Sequence, residues 1–514
     1  MFKYIKSNKK ALSLIVAVCV LLSMFAVSCG NKDESAKNNN TPSNSNNSSD
    51  IPGGGNDSSS ELSSQDELSL YDPMLPEEDF KEHVFKVLTV DEDFMSWSVN
   101  YIDVAEQKAD PVDDAIYTRN RNIESKYNIV IEQIRVNYED LNKTVANVAQ
   151  SGGNDYDLVV LPTTDAPISA TNGYFSDLGT LPYINLEKPW WNKKVGDNFS
   201  IGGRTFFTVS DLILMDKDHT CHLLYNKKVA MAVGAPSSDA LYKAVNDGKW
   251  TWDMFKELTR DVYMNLDGTG KINYATDRFG VNSAVWWFST ALMAGFNETI
   301  IRKDIEDMPY LSCKTEKFMD AYVSVVNFAA DKKNIARMSL DYTPTEEVPN
   351  TFERDGALFS GSHLSSLRSF RNMESDFALL PMPKWDESQD TYYSLVLDSL
   401  CIAIPVSSED VSRSAFILEA LTAESARLVN PAYYKISLEG KFIRDEESKD
   451  MLDIILENRV ADICYSIYNW GGFTETMRNA FRVDNINIAS ILEKNENRIM
   501  NGMGKTIDAY ELVD

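Results

Sequence analysis

Four histidines, His83, His219, His222 and His363, are all that 514 residues offer for imidazole chemistry, and their spacing argues against joint use. His219-Thr220-Cys221-His222 contains metal-ligand side chains, but in a strand-like run residues i and i+3 point to opposite faces, and no H-E-x-x-H accompanies them. Zinc is therefore not expected there. Residues 501–506, "NGMGKT", end like a phosphate-binding loop, yet the first glycine of that motif would fall on Ile499 and no apolar strand precedes it. No G-x-S-x-G marks an acyl-transfer serine. The 77 acidic residues always contain pairs, but no context singles one out for glycoside hydrolysis.

A better cation candidate is "NLDGTGKINYATD", residues 265–277. Asn265, Asp267 and Thr269 place oxygens at alternate positions, Gly270 permits a sharp turn, and Asp277 stands one place beyond the position of a bidentate acid. A structural calcium ion is one expectation and a plain glycine turn the other; no further cofactor is expected. The aromatic residues are the broadest signal. Trp97, Trp190, Trp191, Trp286, Trp287, Trp385 and Trp470 sit beside turns or polar residues, as in "KPWWNKK" and "NSAVWWFST". Indole faces suit the C–H faces of sugars, with nearby Asp, Asn and Thr for the hydroxyls, although most buried tryptophans simply fill core.

The elements that must position these residues alternate. Residues 84–90, "VFKVLTV", read as a buried strand, 113–129 as a helix with Ile116, Ile123 and Tyr127 on one face, and 129–134 as a second strand. A helix ending on Gly152 and the apolar strand 156–162 follow. This order predicts a parallel sheet covered on both faces, with ligand beyond the carboxyl ends of its strands, where Thr163, Thr164 and Asp165 lie. Later, "RTFFTVSDLILM", "CHLLYNKKV", "DFALLPMPKW" and "SLVLDSLCIAIP" read as strands, and "TWDMFKELTRDVYMN", "EKFMDAYVSVVNFAADKK" and "SRSAFILEALTAES" as helices.

The amino terminus sets the compartment. Lys3, Lys6, Lys9 and Lys10 precede an apolar run from Ala11 to Val27, a secretory signal layout over residues 1–28. Ala26-Val27-Ser28-Cys29-Gly30 resembles a bacterial lipobox, which makes Cys29 the lipidated first residue of the mature chain. Residues 29–82 are then a disordered Asn/Ser-rich tether. Cys221, Cys313, Cys401 and Cys464 are expected as buried thiols. A formal charge of −27 argues against nucleic acid and anionic lipid as partners.

Together with the lipobox and tether, "IYTRNRNIESKYNIVIE", "GGNDYDLVVLP", "GYFSDLGTLPYINLEKPWWN", "LLYNKKV", "GKWTWDMFKELTRD", "DRFG", "PMPKWDESQDTYYS" and "RDEESKDMLDIILENR" resemble the solute-binding lipoproteins of bacterial ABC importers, of the oligosaccharide-binding type. The resemblance runs from about residue 84 to residue 514. It implies an α/β, two-lobed periplasmic-binding-protein-like (type II) fold with discontinuous lobes and a hinge cleft. Lobe 1 is expected over 83–210 plus 377–410 and lobe 2 over 211–376 plus 411–514, with crossings near 207–214, 374–380 and 406–415. It implies a non-catalytic, monomeric receptor, lipid-anchored on the outer face of a Gram-positive cell membrane, that hands an oligosaccharide to ABC permease subunits. By position, Thr163, Thr164, Asp165, Trp286, Trp287, His363, Tyr393, Asp398 and Trp470 fall at the cleft; Trp97 and Asp211 complete the expected set. A receptor for a peptide or other small solute, a surface glycoside hydrolase and an adhesion scaffold are the alternatives.

Overall fold

The structure, a computed structural model, describes residues 70–338, 351–439 and 446–512. The signal segment, Cys29 and most of the tether lie outside the described residues. Strand β1 (His83–Val90) buries Phe85, Val87, Leu88 and Val90 completely. Helix α1 (Pro111–Tyr127) starts two residues before its apolar pattern, because Asp110 caps the amides of Val112 and Asp113 and Pro111 fits the first turn. Asn128, left-handed at φ 52°, ends it and turns the chain directly into β2 (Ile129–Val136), which pairs in parallel with β1 along its whole length. Helix α2 (Tyr138–Ser151) and β3 (Leu158–Pro162) complete the alternation.

A second set of strands follows: β4 (Cys221–Asn226), β5 (Phe279–Ser283), β6 (Ile335–Arg337), β7 (Ala357–His363) and β8 (Phe377–Leu380). Their order is β8-β4-β7-β5-β6, with β5 parallel to β6 and β7, and β4 antiparallel to its neighbours. Helix α3 (Trp252–Thr259), α4 (Val285–Gly295) and α5 (Glu316–Ala330) accompany them. Gly361 on β7 leaves room for α4, since a Cβ there would overlap the ring of Phe288. The chain then returns through the short strand β9 (Ser394–Leu395) to β10 (Leu400–Ala403), which pairs antiparallel with β3 and gives the first sheet the order β10-β3-β1-β2. Helices α6 (Val411–Glu439) and α7 (Glu447–Glu457), strand β11 (Arg459–Val460), and helices α8 (Phe473–Arg482) and α9 (Ile488–Leu512) end the described chain. Strand β11 pairs with β9.

Several boundaries differ from expectation. Phe377–Leu380, expected with the first lobe, pairs with β4, so the second passage between sheets lies between β8 and β10 and not near 374–380. The first half of α6, expected with the second lobe, packs on α1: Phe416 meets Tyr127 edge-on at 4.9 Å, and Arg119 donates to Ser425 at 3.1 Å. Residues 70–82 are not part of a free tether, because Tyr71, Leu75 and Phe80 pack on the core and Phe80 meets Phe416 at 5.3 Å. "RTFFTVSDLILM" forms no strand. Its apolar residues are buried, and a bridge from Thr208 to Ile402 joins it to the first sheet before the chain crosses to β4. Helix α3 stops at Thr259, whose hydroxyl bonds back to Phe255. "NGMGKT" lies within α9, and the four cysteines are buried free thiols.

Phe416 is 1% exposed and meets Phe80, Tyr127 and Tyr183. Phe416→Ala should cost about 3–5 kcal/mol, read by urea denaturation; a loss under about 1 kcal/mol would show that α6 is not anchored there.

Candidate functional site

In both sheets the carboxyl ends of the parallel strands lead into the same group of segments. The loop after β1 reaches the second sheet: Ser98 Oγ donates to Asp218 at 2.7 Å and the Val99 amide at 3.2 Å. Asp218 is fully buried and also accepts from Tyr433 at 2.8 Å and from Arg368, which in turn donates to the carbonyl of Trp97 at 3.2 Å. Because β4 runs antiparallel to β7, its beginning lies beside the end of β7, which brings Asp218 and His219 next to His363.

His219 Nδ1 and Asp398 lie 2.5 Å apart, joining β4's approach to the segment between β9 and β10. Burial disfavours charge on His219, but Asp398 outweighs it and raises its pKa; burial likewise opposes the Asp398 carboxylate, and His219 holds it below its ordinary value. His363 lies ring to ring with His219 at 5.4 Å, shares a hydrogen bond with the Ser365 hydroxyl at 2.6 Å, and lies 6.2 Å from the buried ring of Trp287. Burial, with His219 beside it, pushes His363 down to about 4. His222 is driven to about 3 by burial and by His363.

An aromatic and cationic surface adjoins them. Trp286, in the first turn of α4, lies nearly parallel to Tyr465 at 6.5 Å, and the Arg478 guanidinium covers both rings at 4.5 and 5.2 Å. Arg478 also acts electrostatically on Asp398, holding its pKa down. Tyr465 is fixed from below, since Asp462 caps its amide at 2.7 Å. Asp462 has its carboxyl raised to about 6 by burial.

The expected residues divide accordingly. Trp286, Trp287, His363 and Asp398 come together. Trp97 is 59% exposed and joins through its backbone carbonyl. Thr163 is buried and donates to the Ser466 carbonyl at 2.8 Å, Thr164 is exposed, and Asp165 is half-buried with its carboxyl raised by burial. Tyr393 is half-buried, with its carbonyl beside Gly295. Asp211 pairs with Lys217 at 3.0 Å in a separate cavity of about 730 Å³ that Trp190, Pro431 and Arg459 also line. Trp470 is core: it stacks on Tyr468 at 4.7 Å and donates to Thr506 at 2.8 Å. Trp190 and Trp191 both donate to buried Glu419. Sequence reasoning passed over Asp218, Arg368, Tyr465 and Arg478, which only the meeting of distant segments brings together.

The 265–277 loop closes on its own donors. Asp267 accepts from the amide and hydroxyl of Thr269 and from Asn273, while Asp277 accepts from Tyr263, Leu266 and Asn273. Asn265 spends its amide group on the Lys271 carbonyl. Among the described residues no group of three or more His, Cys, Asp or Glu side chains converges on a metal position.

No family model and no curated protein matches the sequence. Solved structures do resemble it. An extracellular solute-binding protein from Staphylococcus aureus in complex with maltose superposes with a TM-score of 0.54 at 11% identity, covering 83% of this chain and 98% of that one. The substrate-binding protein Lmo0181 from Listeria monocytogenes, in complex with cycloalternan, gives 0.52 at 13%, covering 82% and 99%. A sugar transporter from Rhizobium etli in an open conformation gives 0.53 at 13%, covering 84% and 100%. At these identities the likeness concerns the fold: the chain is built on the two-lobed α/β frame of ABC solute-binding proteins.

Ring NMR titration should place His219 above the ordinary value of ~6.5 and His363 well below it. Asp398→Asn should lower the His219 value, since burial then opposes its charge with only Asp218 left to favour it. Between about pH 4 and 6.5 native His222 and His363 refuse protons that the unfolded chain binds and so destabilise the fold on acidification, while native Asp462 and Glu419, raised to about 6 and about 7 by burial, act with the opposite sign; the loss of stability through that window should therefore be steeper in Asp462→Asn than in the parent chain. Trp470→Ala should cost about 3–5 kcal/mol in urea denaturation; a fully stable variant would contradict its core placement.

Proposed function

We propose that this chain is the lipid-anchored substrate-binding component of an ABC importer, capturing an oligosaccharide between its two sheets. The observation that carries this reading is the convergence, at the carboxyl ends of both sheets, of half-buried Trp286, Arg478 and Asp398, backed by the buried rings of Trp287, Tyr465 and His219. Planar rings beside directed polar groups are what a sugar needs, with ring faces for its C–H groups and fixed donors and acceptors for its hydroxyls. The fold supports it, since solved proteins on the same frame hold maltose and cycloalternan. Binding without turnover is the reading for the carboxylates: Asp218 is committed to Ser98, Tyr433 and Arg368, and Asp398 to His219.

The rest of the proposal concerns the setting. Cys29 carries the lipid, the chain before the folded body is the tether, and the receptor acts as a monomer on the outer face of the membrane beside its permease. Segments crossing between the sheets form the hinge, so ligand held by both sides favours the closed arrangement.

A thermal-shift screen of the chain against neutral oligosaccharides, acidic oligosaccharides and peptides tests this, because a ligand bound to the native state raises the midpoint by mass action. Oligosaccharides should raise it and peptides should not. Trp286→Ala should weaken the effective oligosaccharide by about tenfold, the worth of one aromatic contact. A response to peptides alone, or sustained cleavage of a glycan, would overturn the reading.

A further inference from the structure

Arg478 and Arg482, four residues apart on α8, address the same ring: their guanidinium carbons lie 4.5 and 5.7 Å from the centroid of Trp286. Arg337, at the carboxyl end of β6, donates to the Arg482 carbonyl at 3.4 Å and belongs to the same rim. The three differ in their counter-charges. Arg482 reaches Glu475 at 3.2 Å, and Arg337 reaches Asp484 at 2.5 Å. Arg478 has Glu475 at 3.9 Å, beyond hydrogen-bond distance, and that carboxylate is 56% exposed.

The rest of Arg478 is nonetheless fixed. Its Nε donates to the Tyr465 hydroxyl at 3.1 Å and its plane covers Trp286 and Tyr465, yet 28% of the side chain is open to solvent. A guanidinium held on two rings by one nitrogen keeps a rigid pair of terminal donors, which matches the two oxygens of a carboxylate. It also changes what a ligand meets, since Arg478 and Arg482 both lie against the half-buried ring of Trp286. In a chain of formal charge −27, long-range attraction does not draw anions, so selection of an anion must come from such a local group.

We propose that Arg478 binds the carboxylate of an acidic sugar, so that the preferred ligand is a uronate-bearing oligosaccharide. This rests on the oligosaccharide-receptor reading and narrows it.

The test is calorimetric titration of the full chain with an oligogalacturonide, its methyl ester, a sulfated neutral oligosaccharide and an unmodified malto-oligosaccharide. The oligogalacturonide should bind about ten- to a hundredfold tighter than its ester, as expected for a charge-assisted pair. The gap should narrow as salt rises. Arg478→Gln should abolish the gap while binding of the ester is retained, and Arg478→Lys should restore part of it. The thermal midpoint of each variant checks folding, and the acid-to-ester affinity ratio of Arg478→Lys, set against that of the wild type, carries the comparison if the glutamine variant is unfolded. Equal affinity for acid and ester, a gap that survives Arg478→Gln, or preference for the sulfated sugar overturns the proposal. If neutral oligosaccharides alone bind, the oligosaccharide-receptor reading stands and the acidic class fails; if no glycan binds, both fail.

Discussion

A carboxylate with no exposed surface holds the site together. Asp218 lies at the threshold of β4, and its partners arrive from three other parts of the chain: Ser98 and Val99 from the loop after β1, Arg368 from the turn after β7, and Tyr433 from α6. A buried charge costs several kcal/mol unless its donors are in place. These segments are therefore fixed together or not at all, and their positions relative to His219, one residue on, follow. His219 passes the constraint to Asp398 and thus to the strand that rejoins the first sheet.

The consequence is a surface whose electrostatics are local. His219 and Asp398 each favour the other's charged form against burial, while burial pushes His363 and His222 down to about 4 and about 3. Arg478 adds fixed positive charge on an aromatic support. Such a site can grip a polar ligand through preset donors without reorganising.

Much of the frame was legible in the sequence because alternation of apolar strand and amphipathic helix is a local property. The first three strands and two helices lie where their periodicity places them. Caps shifted their ends, as Asp110-Pro111 did for α1. What failed was assignment of returning segments. "DFALL" is equally apolar wherever it goes, and only its pairing with β4 places it in the second sheet. Helix α6 likewise carries no local mark that it folds back on α1. Of the residues that the resemblance placed at the cleft, Trp286, Trp287 and Asp398 stand near one another, whereas Trp470 reads the same in sequence but is spent on Tyr468 and Thr506. Asp218, Arg368 and Arg478 escaped notice because an isolated charge acquires meaning only from partners more than a hundred residues away or across a helix pair.

The central claim is that one ligand is held jointly by segments of both sheets. Hydrogen exchange of the full chain with and without a bound oligosaccharide tests it most directly, since amides are protected where ligand suppresses local opening. The account predicts concurrent protection of residues 91–104, 284–288, 363–368 and 465–478. Protection confined to one sheet, or centred on the separate cavity beside Asp211 and Lys217, would contradict it.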